Sequence, residues 1–408
     1  MEYSTPIMSR RLEKNSHECS GRNPIDRKQV ILSAVVVSAL GALFYNLLPM
    51  FVGVAQDYRE LDNKSVGLIS SVYFAGFTLT TGTAYFWIRR LNWKTVTWTA
   101  LPVGSLALLL AGYSHNRSTL MLCMFIAGGA FSTVYGIGAT ALGDTSNPAR
   151  WYGLKISAEA LLGAILLFVL PATLIASYGF MGLMTGMVLT ALLLAPALCW
   201  LPSKGHTPYK IDGVPWPLPA KLKLAVWLGL FAVMSFIFSA TLIWAFVERL
   251  ANTAGFEQVL VGKILSLTLV FAVSGSLLAV VLGDRFGSGK PFAAAILLFL
   301  AALAWLSQTV TVTHYAIGAC LLTLAIGLGI CYVITIVADL DMDGRYVVLT
   351  VPAIGVGVMS APAIGGFLIL SQGYTAIFIV GAETVILSLL AGLFALKKGL
   401  PFVENPSS

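Results

Sequence analysis

Residues 283–290 read GDRFGSGK, a glycine-rich segment between two long apolar stretches. A phosphate-binding loop needs Gly-x-x-x-x-Gly-Lys followed by Ser or Thr, because its backbone amides surround the phosphates and the hydroxyl group binds magnesium. Here Asp284 stands at the position of the first glycine, and Pro291 replaces the hydroxyl residue. The segment therefore does not fit a nucleotide site. Its glycines and Pro291 predict instead a sharp turn between two adjacent helices.

The composition on both sides of this turn is that of a membrane protein. Apolar residues make up 58% of the 408 positions and charged residues only 11%, whereas a soluble domain carries roughly 25% charged residues. A helix needs about 20 apolar residues to cross the hydrocarbon core, and most segments between charged clusters reach that length. Since these runs are continuous and do not alternate, a β-barrel is excluded. We expect an all-α polytopic membrane protein.

Twelve apolar runs are long enough to be transmembrane helices. The first 29 residues are polar and basic, and we expect them to be a cytoplasmic tail and not a signal peptide. The predicted spans are 30–54, 65–88, 94–113, 118–142, 151–177, 179–201, 222–247, 259–282, 291–311, 314–338, 346–370 and 374–396.

Basic residues fix the expected orientation of these spans, because Lys and Arg near span ends stay in the cytoplasm. With a cytoplasmic N-terminus, twenty of the 25 basic residues lie inside. The other five, Arg59, Lys64, Arg117, Arg249 and Lys263, lie outside. We therefore expect both termini in the cytoplasm, within a cytoplasmic or inner membrane. The net charge of +7 is then an orientation signal facing anionic lipid, and it calls for no nucleic acid partner.

A proline-rich segment divides the chain into two similar halves. Residues 202–221 contain five prolines and separate a first set of six spans, 30–201, from a second, 222–396, which a short tail, 397–408, follows. A shift of 195 residues aligns VGLIS at 66–70 with VGKIL at 261–265, and it also aligns several charged loop residues. Duplicated halves in the same orientation predict a pseudo-two-fold axis along the membrane normal, with a solute site between the halves near mid-membrane.

The turn at 284–290 and the duplicated helices resemble the major facilitator superfamily of secondary transporters, in which the connections after helices 2 and 8 carry Gly-x-x-x-Asp-Arg-x-Gly-Arg-Arg or a relative of it. The resemblance covers residues 29–398 and implies two pseudo-symmetric six-helix bundles. It also implies that the acid and base of this turn hold one conformation closed. RRLNWK at 89–94, in the first half, departs from the pattern, since Arg89 stands in the acid's place. The predicted conformational latch comprises Asp284, Arg285, Gly287, Arg90, Asp144, Arg150, Asp339 and Arg345.

Ionisable residues inside spans are costly and commonly functional. Glu159 lies about two turns into the fifth span with Lys155 one turn earlier on the same face. The pair either couples transport to protons or forms a structural ion pair near the inner surface. Glu383, in the twelfth span, is interpreted as packing against a neighbouring helix. The segment GVGVMSAPAIGG at 355–366 predicts close helix approach through its small residues.

The family resemblance implies that helices 1, 4, 7 and 10 line the cavity. Polar and aromatic residues at their middles suit a small, partly apolar solute, although each could instead be a satisfied contact between helices. Asn46 is the strongest candidate, because a buried amide needs partners more than a hydroxyl group does. The full set is Tyr45, Asn46, Ser132, Thr133, Tyr135, Ser235, Ser239, Trp244, Cys331, Tyr332 and Thr335.

These observations predict a secondary active transporter of a small organic solute, working by alternating access and coupled to protons through Glu159. An uncoupled facilitator of the same fold is the first alternative. A polytopic membrane transferase is the second, and it is disfavoured because no His or Cys outside the N-terminal tail lies beside a carboxylate to act as base or nucleophile. Acidic residues near the inner loops, such as Asp144 and Asp339, suit loop capping better than a metal site. We expect a monomer in the lipid bilayer that is not an enzyme and has no cofactor or metal.

Overall fold

The computed structural model describes residues 24–146, 148–205, 220–283, 285–308, 311–341 and 346–404. Across these ranges the chain forms α-helices joined by short turns, with no strand. The helices are α1 (Lys28–Gly41), α2 (Leu43–Asn46), α3 (Leu48–Arg59), α4 (Asn63–Gly82), α5 (Ala84–Trp87), α6 (Trp93–Tyr113), α7 (Arg117–Gly143), α8 (Pro148–Val169), α9 (Ala176–Leu194), α10 (Ala220–Thr253), α11 (Gln258–Leu282), α12 (Gly289–Leu306), α13 (Val312–Leu340), α14 (Thr350–Gln372) and α15 (Tyr374–Glu404).

The helices confirm the predicted all-helical membrane fold. Within the ranges above, nine helical segments are long and apolar enough to cross a membrane. The first predicted span is divided among α1, α2 and α3, and the second between α4 and α5. The run 150–200 counts as one segment, although Gly179, with a φ of 55°, interrupts it. Twelve crossings therefore stay a prediction.

Helix boundaries repeat with nearly the spacing found in the sequence. Helices α4 and α11 begin at Asn63 and Gln258, and helices α7 and α13 begin at Arg117 and Val312, so both pairs of starts differ by 195 residues. Helices α6 and α12 begin at Trp93 and Gly289, a difference of 196. Since charged loops and helix starts share this offset, the two halves are pseudo-symmetric. We call α1–α9 the first bundle and α10–α15 the second bundle.

The bundle has two ends, which we name by the chain segments found there. The terminal face carries the described chain ends, Pro24 and Glu404, together with the turns near residues 90 and 285. The opposite face carries the turns near residues 60, 115, 178, 255 and 373.

The two bundles meet along a seam formed by three helix pairs. Helix α4 packs on α14, α8 on α11, and α3 on α10. Small residues allow the α4–α14 contact, because a Cβ atom at Gly366 would collide with the backbone of Asn63. A Cβ atom at Gly355 would lie 2.7 Å from the side chain of Thr78, whose hydroxyl group donates a 3.0 Å hydrogen bond to the Gly355 carbonyl. The close approach predicted for residues 355–366 is thus confirmed.

Candidate functional site

A buried ion pair lies inside the first bundle on helix α8. The Nζ atom of Lys155 is 2.7 Å from Oε1 of Glu159, and the two side chains are only 5% and 13% exposed. Four residues separate them, which places both side chains on one face of the helix. Charged groups at this burial need partners for all of their hydrogen-bonding capacity. The surrounding helices supply those partners.

Three residues from neighbouring helices complete a cluster around the pair. The Ser38 hydroxyl group on α1 donates to Glu159 Oε1 at 2.8 Å, and the Asn46 amide on α2 donates to the Glu159 carbonyl at 2.8 Å. The Tyr135 hydroxyl group on α7 accepts from Lys155 Nζ at 2.9 Å, and the ammonium group lies 4.2 Å from the centroid of the Tyr135 ring. We call these five residues the Lys155 cluster. It joins parts of three predicted spans around one carboxylate.

The Lys155 cluster lies at the seam because α8 approaches both bundles closely. One turn beyond Glu159, a Cβ atom at Gly163 would lie 2.6 Å from the Asn46 Cβ atom and 2.9 Å from a methyl group of Leu269 on α11. Both distances are shorter than real Cβ contacts, so this position requires glycine. A change at Glu159 is therefore one helical turn from the contact between the bundles.

Several predicted solute residues instead donate to backbone carbonyl groups. Ser239 donates to Gly381 at 2.6 Å, Tyr332 to Gly283 at 3.0 Å, and Ser132 to Phe77 at 2.7 Å. Thr133, Cys331 and Thr335 donate within their own helices, to Gly129, Gly327 and Cys331, and Ser235 is buried. The structure thus brings Asn46, Tyr135, Lys155 and Glu159 together but leaves the second-bundle residues outside the Lys155 cluster.

Trp244 and Tyr45 meet across the seam. The indole Nε1 atom of Trp244, on α10, donates a 3.0 Å hydrogen bond to the Tyr45 carbonyl on α2. Tyr45 is adjacent to Asn46, so this contact ties the second bundle to the segment that also binds Glu159. Both residues were predicted to contact solute, and here they join the bundles near the Lys155 cluster.

A second buried charge cluster closes the seam at the opposite face. Arg249, on α10, donates from two nitrogen atoms to the two carboxylate oxygens of Asp57 on α3, both at 2.8 Å. It also donates to Glu248 at 2.7 and 3.1 Å. The Glu248 carboxylate lies against Gly53 of α3, where any side chain would collide with it. We call Asp57, Glu248 and Arg249 the Arg249 cluster.

Sequence reasoning missed the Arg249 cluster. Arg249 was counted only as an outer basic residue, because charges at span ends usually face water or lipid headgroups. The structure buries Glu248 and Arg249, which are 4% and 5% exposed. An adjacent acid and base at the end of an otherwise apolar span was the available signal. Ser38 was also missed, since a single serine in an apolar helix is common.

At the terminal face, two described contacts each lie within one bundle. Arg89 binds both oxygens of Asp144 at 2.5 and 2.7 Å, and Ser288 donates to Asp339 at 2.7 Å. Asp144 and Asp339 are related by the 195-residue offset, and each is bound by a residue of the connection after the second span of its bundle. Asp144, predicted as part of the latch, is thus paired with Arg89, the residue that stands in the acid's place.

The other predicted latch residues are either exposed or outside the described residues. Arg90, Arg285 and Gly287 are exposed, and exposed Arg150 lies 4.9 Å from the centroid of the Trp151 ring. Asp284 and Arg345 lie outside the described residues. The predicted latch therefore stays a prediction.

Two further sequence interpretations concern charge and metal binding. Glu383 is exposed on α15, so its predicted packing against a neighbouring helix is wrong. The physical reason is helix rotation: position along an apolar helix does not determine which side faces its neighbours.

Within the part of the chain that the structure describes, no group of three or more His, Cys, Asp or Glu side chains could hold a metal ion.

Comparisons with known proteins agree with this architecture. The family model of the Major Facilitator Superfamily matches residues 30–345. A bacterial homologue of the human lysosomal transporter Spinster, solved in an inward-facing and unoccupied conformation, is 14% identical, with a TM-score of 0.61 over 93% of this chain and 96% of that one. A mutant of the nucleoside transporter NupG is also 14% identical, with a TM-score of 0.66 over 90% of this chain and 99% of that one. No curated protein sequence matches the chain significantly.

The structural likeness supports the fold, and the family match covers well over half of the sequence. The resemblance drawn from residues 284–290 and the duplicated helices is thereby confirmed. The chain belongs to the major facilitator superfamily and is a multi-pass membrane transporter of small molecules.

Proposed function

We propose that this protein is a secondary active transporter that moves a small organic solute together with a proton, and that Glu159 carries the proton. The observation that supports this proposal is the Lys155–Glu159 ion pair, buried beside the seam between the bundles. Ionisable groups buried within membrane helices are costly, and they commonly mark solute or proton pathways.

The contacts of Glu159 suggest how its proton affects the helices. Protonation removes the negative charge that Lys155 neutralises, and it weakens the charge-assisted bond from Ser38. Through Ser38, α8 is joined to α1, and through Asn46 to α2. Because α2 also binds Trp244 of the second bundle, a proton at Glu159 acts on helices that hold the bundles together.

Alternating access requires that the two faces are never open at the same time. The Arg249 cluster joins the bundles at the opposite face, whereas Arg89–Asp144 and Ser288–Asp339 each stay within one bundle at the terminal face. The excess of basic residues predicts that the terminal face is cytoplasmic. We infer that the Arg249 cluster is the outer gate and that this gate is closed here. The moving units would be residues 30–201 and 222–396, in the cytoplasmic membrane.

The test compares Glu159→Gln with Glu383→Gln in proteoliposomes. A thermal-shift screen of metabolites at two pH values first identifies a stabilising solute. Uptake of that solute is then measured with and without an inward proton gradient. Glu159→Gln should abolish accumulation against a gradient while retaining exchange of solute across the membrane. Glu383→Gln removes an equivalent carboxylate from exposed α15 and should accumulate solute normally. Undiminished uphill uptake by Glu159→Gln would exclude Glu159 from coupling.

An uncoupled facilitator remains the second candidate, because Lys155 neutralises Glu159 within the Lys155 cluster without any added proton. In that case the pair would only hold α8 in place. Transport that a protonophore leaves unchanged, with uptake that never exceeds equilibrium, would favour the facilitator.

A further inference from the structure

We infer that the solute is an amphiphilic organic monoanion, whose carboxylate binds Lys155 in place of Glu159 once that residue is protonated. This inference rests on the proposed proton coupling and adds the substrate class. It is carried by the charges, the hydrogen-bond donors and the apolar surroundings of the Lys155 cluster.

The charges of the cluster balance only while Glu159 is ionised. Lys155 supplies one positive charge and Glu159 one negative charge, 2.7 Å apart. A proton on Glu159 leaves the Lys155 ammonium group 5% exposed and without a counter-ion, which is a strongly unfavourable state. An incoming anion restores neutrality. A cationic solute would instead have to displace Lys155, which is covalently held one helical turn from Glu159.

The other ionisable groups on the helices around Glu159 do not change this balance. Tyr135 and Tyr152 lie nearest, and the Tyr152 hydroxyl group donates to the Ala139 carbonyl at 2.8 Å. Arg89, beyond Tyr152, is paired with Asp144. Helices α1 and α11 carry Lys28 and Lys263, and both are exposed near helix ends.

One available positive charge selects a monoanion. Phosphate groups carry more charge and are commonly bound by the planar fork of arginine. A carboxylate needs a single ammonium group and a few hydroxyl donors, which is what this cluster contains.

The donors that a carboxylate needs are already in place. Protonation of Glu159 lets Ser38 donate to another acceptor. The Tyr135 hydroxyl group accepts from Lys155, and no described residue accepts its proton. Lys155, Ser38 and Tyr135 can therefore donate to the same incoming carboxylate.

The second bundle offers an apolar surface for the rest of the solute. The 195-residue offset relates Ser38, Tyr135 and Glu159 to Val233, Ile330 and Ile354. The other two members of the cluster, Asn46 and Lys155, correspond to Thr241 and Thr350, so none of the five equivalent positions in the second bundle carries a charge. A solute between the bundles would meet charge on one side and an uncharged, largely apolar surface on the other, which favours an anion with an apolar body.

The experiment measures thermal unfolding of the purified full-length protein in detergent. The probes are acetate, butyrate, octanoate and benzoate, each compared with its uncharged amide. Because one proton binds with each anion, the apparent Kd of the acids should rise about tenfold per pH unit wherever the free protein must take up that proton. The amides should show no such dependence, and affinity for the acids should increase with apolar size.

Two variants separate this inference from a general effect of acids. Glu159→Gln imitates the protonated residue, so it should bind the acids tightly at every pH. Replacing both residues, Lys155→Gln with Glu159→Gln, should abolish that binding. Since a buried unpaired cation can lower the yield of Glu159→Gln, the pH series on the wild-type protein tests the inference by itself.

Three results would overturn the inference. They are equal stabilisation by acid and amide, pH-independent acid binding by the wild-type protein, and no response to any acid by either the wild-type protein at low pH or Glu159→Gln. Retained binding in the double variant would also exclude Lys155. If a neutral solute is accumulated with protons through Glu159, the anion inference fails while the proposed coupling stands.

Discussion

Asp57→Asn should open the opposite face of the transporter more often. Asp57 is the one member of the Arg249 cluster that the first bundle supplies, so its carboxylate carries the ionic contact there between the bundles. Replacing it by asparagine retains the shape of the side chain and leaves the Arg249–Glu248 pair in place. The change therefore weakens closure of the seam without leaving a deeply buried charge unpaired.

The expected magnitude follows from the exposure of the two partners. Removing one partner of a buried ion pair costs about 3–5 kcal/mol, whereas an exposed pair contributes about 0–1 kcal/mol. The Arg249 side chain is 6% exposed and that of Asp57 is 34% exposed. We therefore expect a loss of about 1–2 kcal/mol of closure free energy, between those limits. At 1.4 kcal/mol per factor of ten, the closed state loses roughly 5–30-fold in population relative to the open state.

The assay is a distance measurement between spin labels on cysteines introduced at Tyr178 and Asn252. Both positions are exposed at the opposite face, one in each bundle. In a background without native cysteines, Asp57→Asn should enlarge the fraction of long distances. Glu60→Gln is the matched control, since it removes a negative charge from the same exposed turn. Identical distance distributions for Asp57→Asn and the parent protein would refute a gating role for this contact.

Two further predictions concern buried groups. Arg249→Gln leaves Glu248 buried without its partner, so it should lower the free energy of unfolding by about 3–5 kcal/mol and lower the Tm more than Asp57→Asn does. Adding Glu248→Gln should recover part of that loss. A Tm unchanged by Arg249→Gln would contradict the buried pair. Gly163→Ala should force α8 away from Asn46 and Leu269, costing about 1–3 kcal/mol through overpacking and reducing uptake. Gly153→Ala is its control on the same helix, because a Cβ atom there meets only open space; equal Tm and uptake for the two variants would show that α8 has room at Gly163.

The fold was predictable because its strongest signals are local. Long apolar runs and the turn at 284–290 define helices without knowledge of their partners. The offset that aligns Asp144 with Asp339 also relates the observed helix starts at Arg117 and Val312. The subdivision of the first span had local signals that its long apolar run masked, since Pro49 lies at the start of α3 and lacks a backbone N–H, and Gly41 precedes the irregular Ala42.

Of the residues in the candidate site, the charged ones were the most predictable from the sequence. Lys155 and Glu159 stand out in an apolar span because their burial is costly. Residues such as Ser239 were chosen by depth along a helix, but the rotation that directs its hydroxyl group to Gly381 is set by packing. In helices that are apolar on all sides, sequence periodicity gives little information about that rotation.

The divided first span has a mechanical consequence. Backbone hydrogen bonds continue through its two irregular positions, from Ala42 to Ser38 and from Leu47 to Leu43. Helices α1, α2 and α3 therefore form one continuous helical segment with two irregular positions. Ser38 lies on α1, Asn46 at the end of α2, and Asp57 in the last turn of α3. When Glu159 gains or loses a proton, we expect α2 to shift and α3 to tilt with it. The first span would then couple protonation in the Lys155 cluster to the contact between the bundles in the Arg249 cluster.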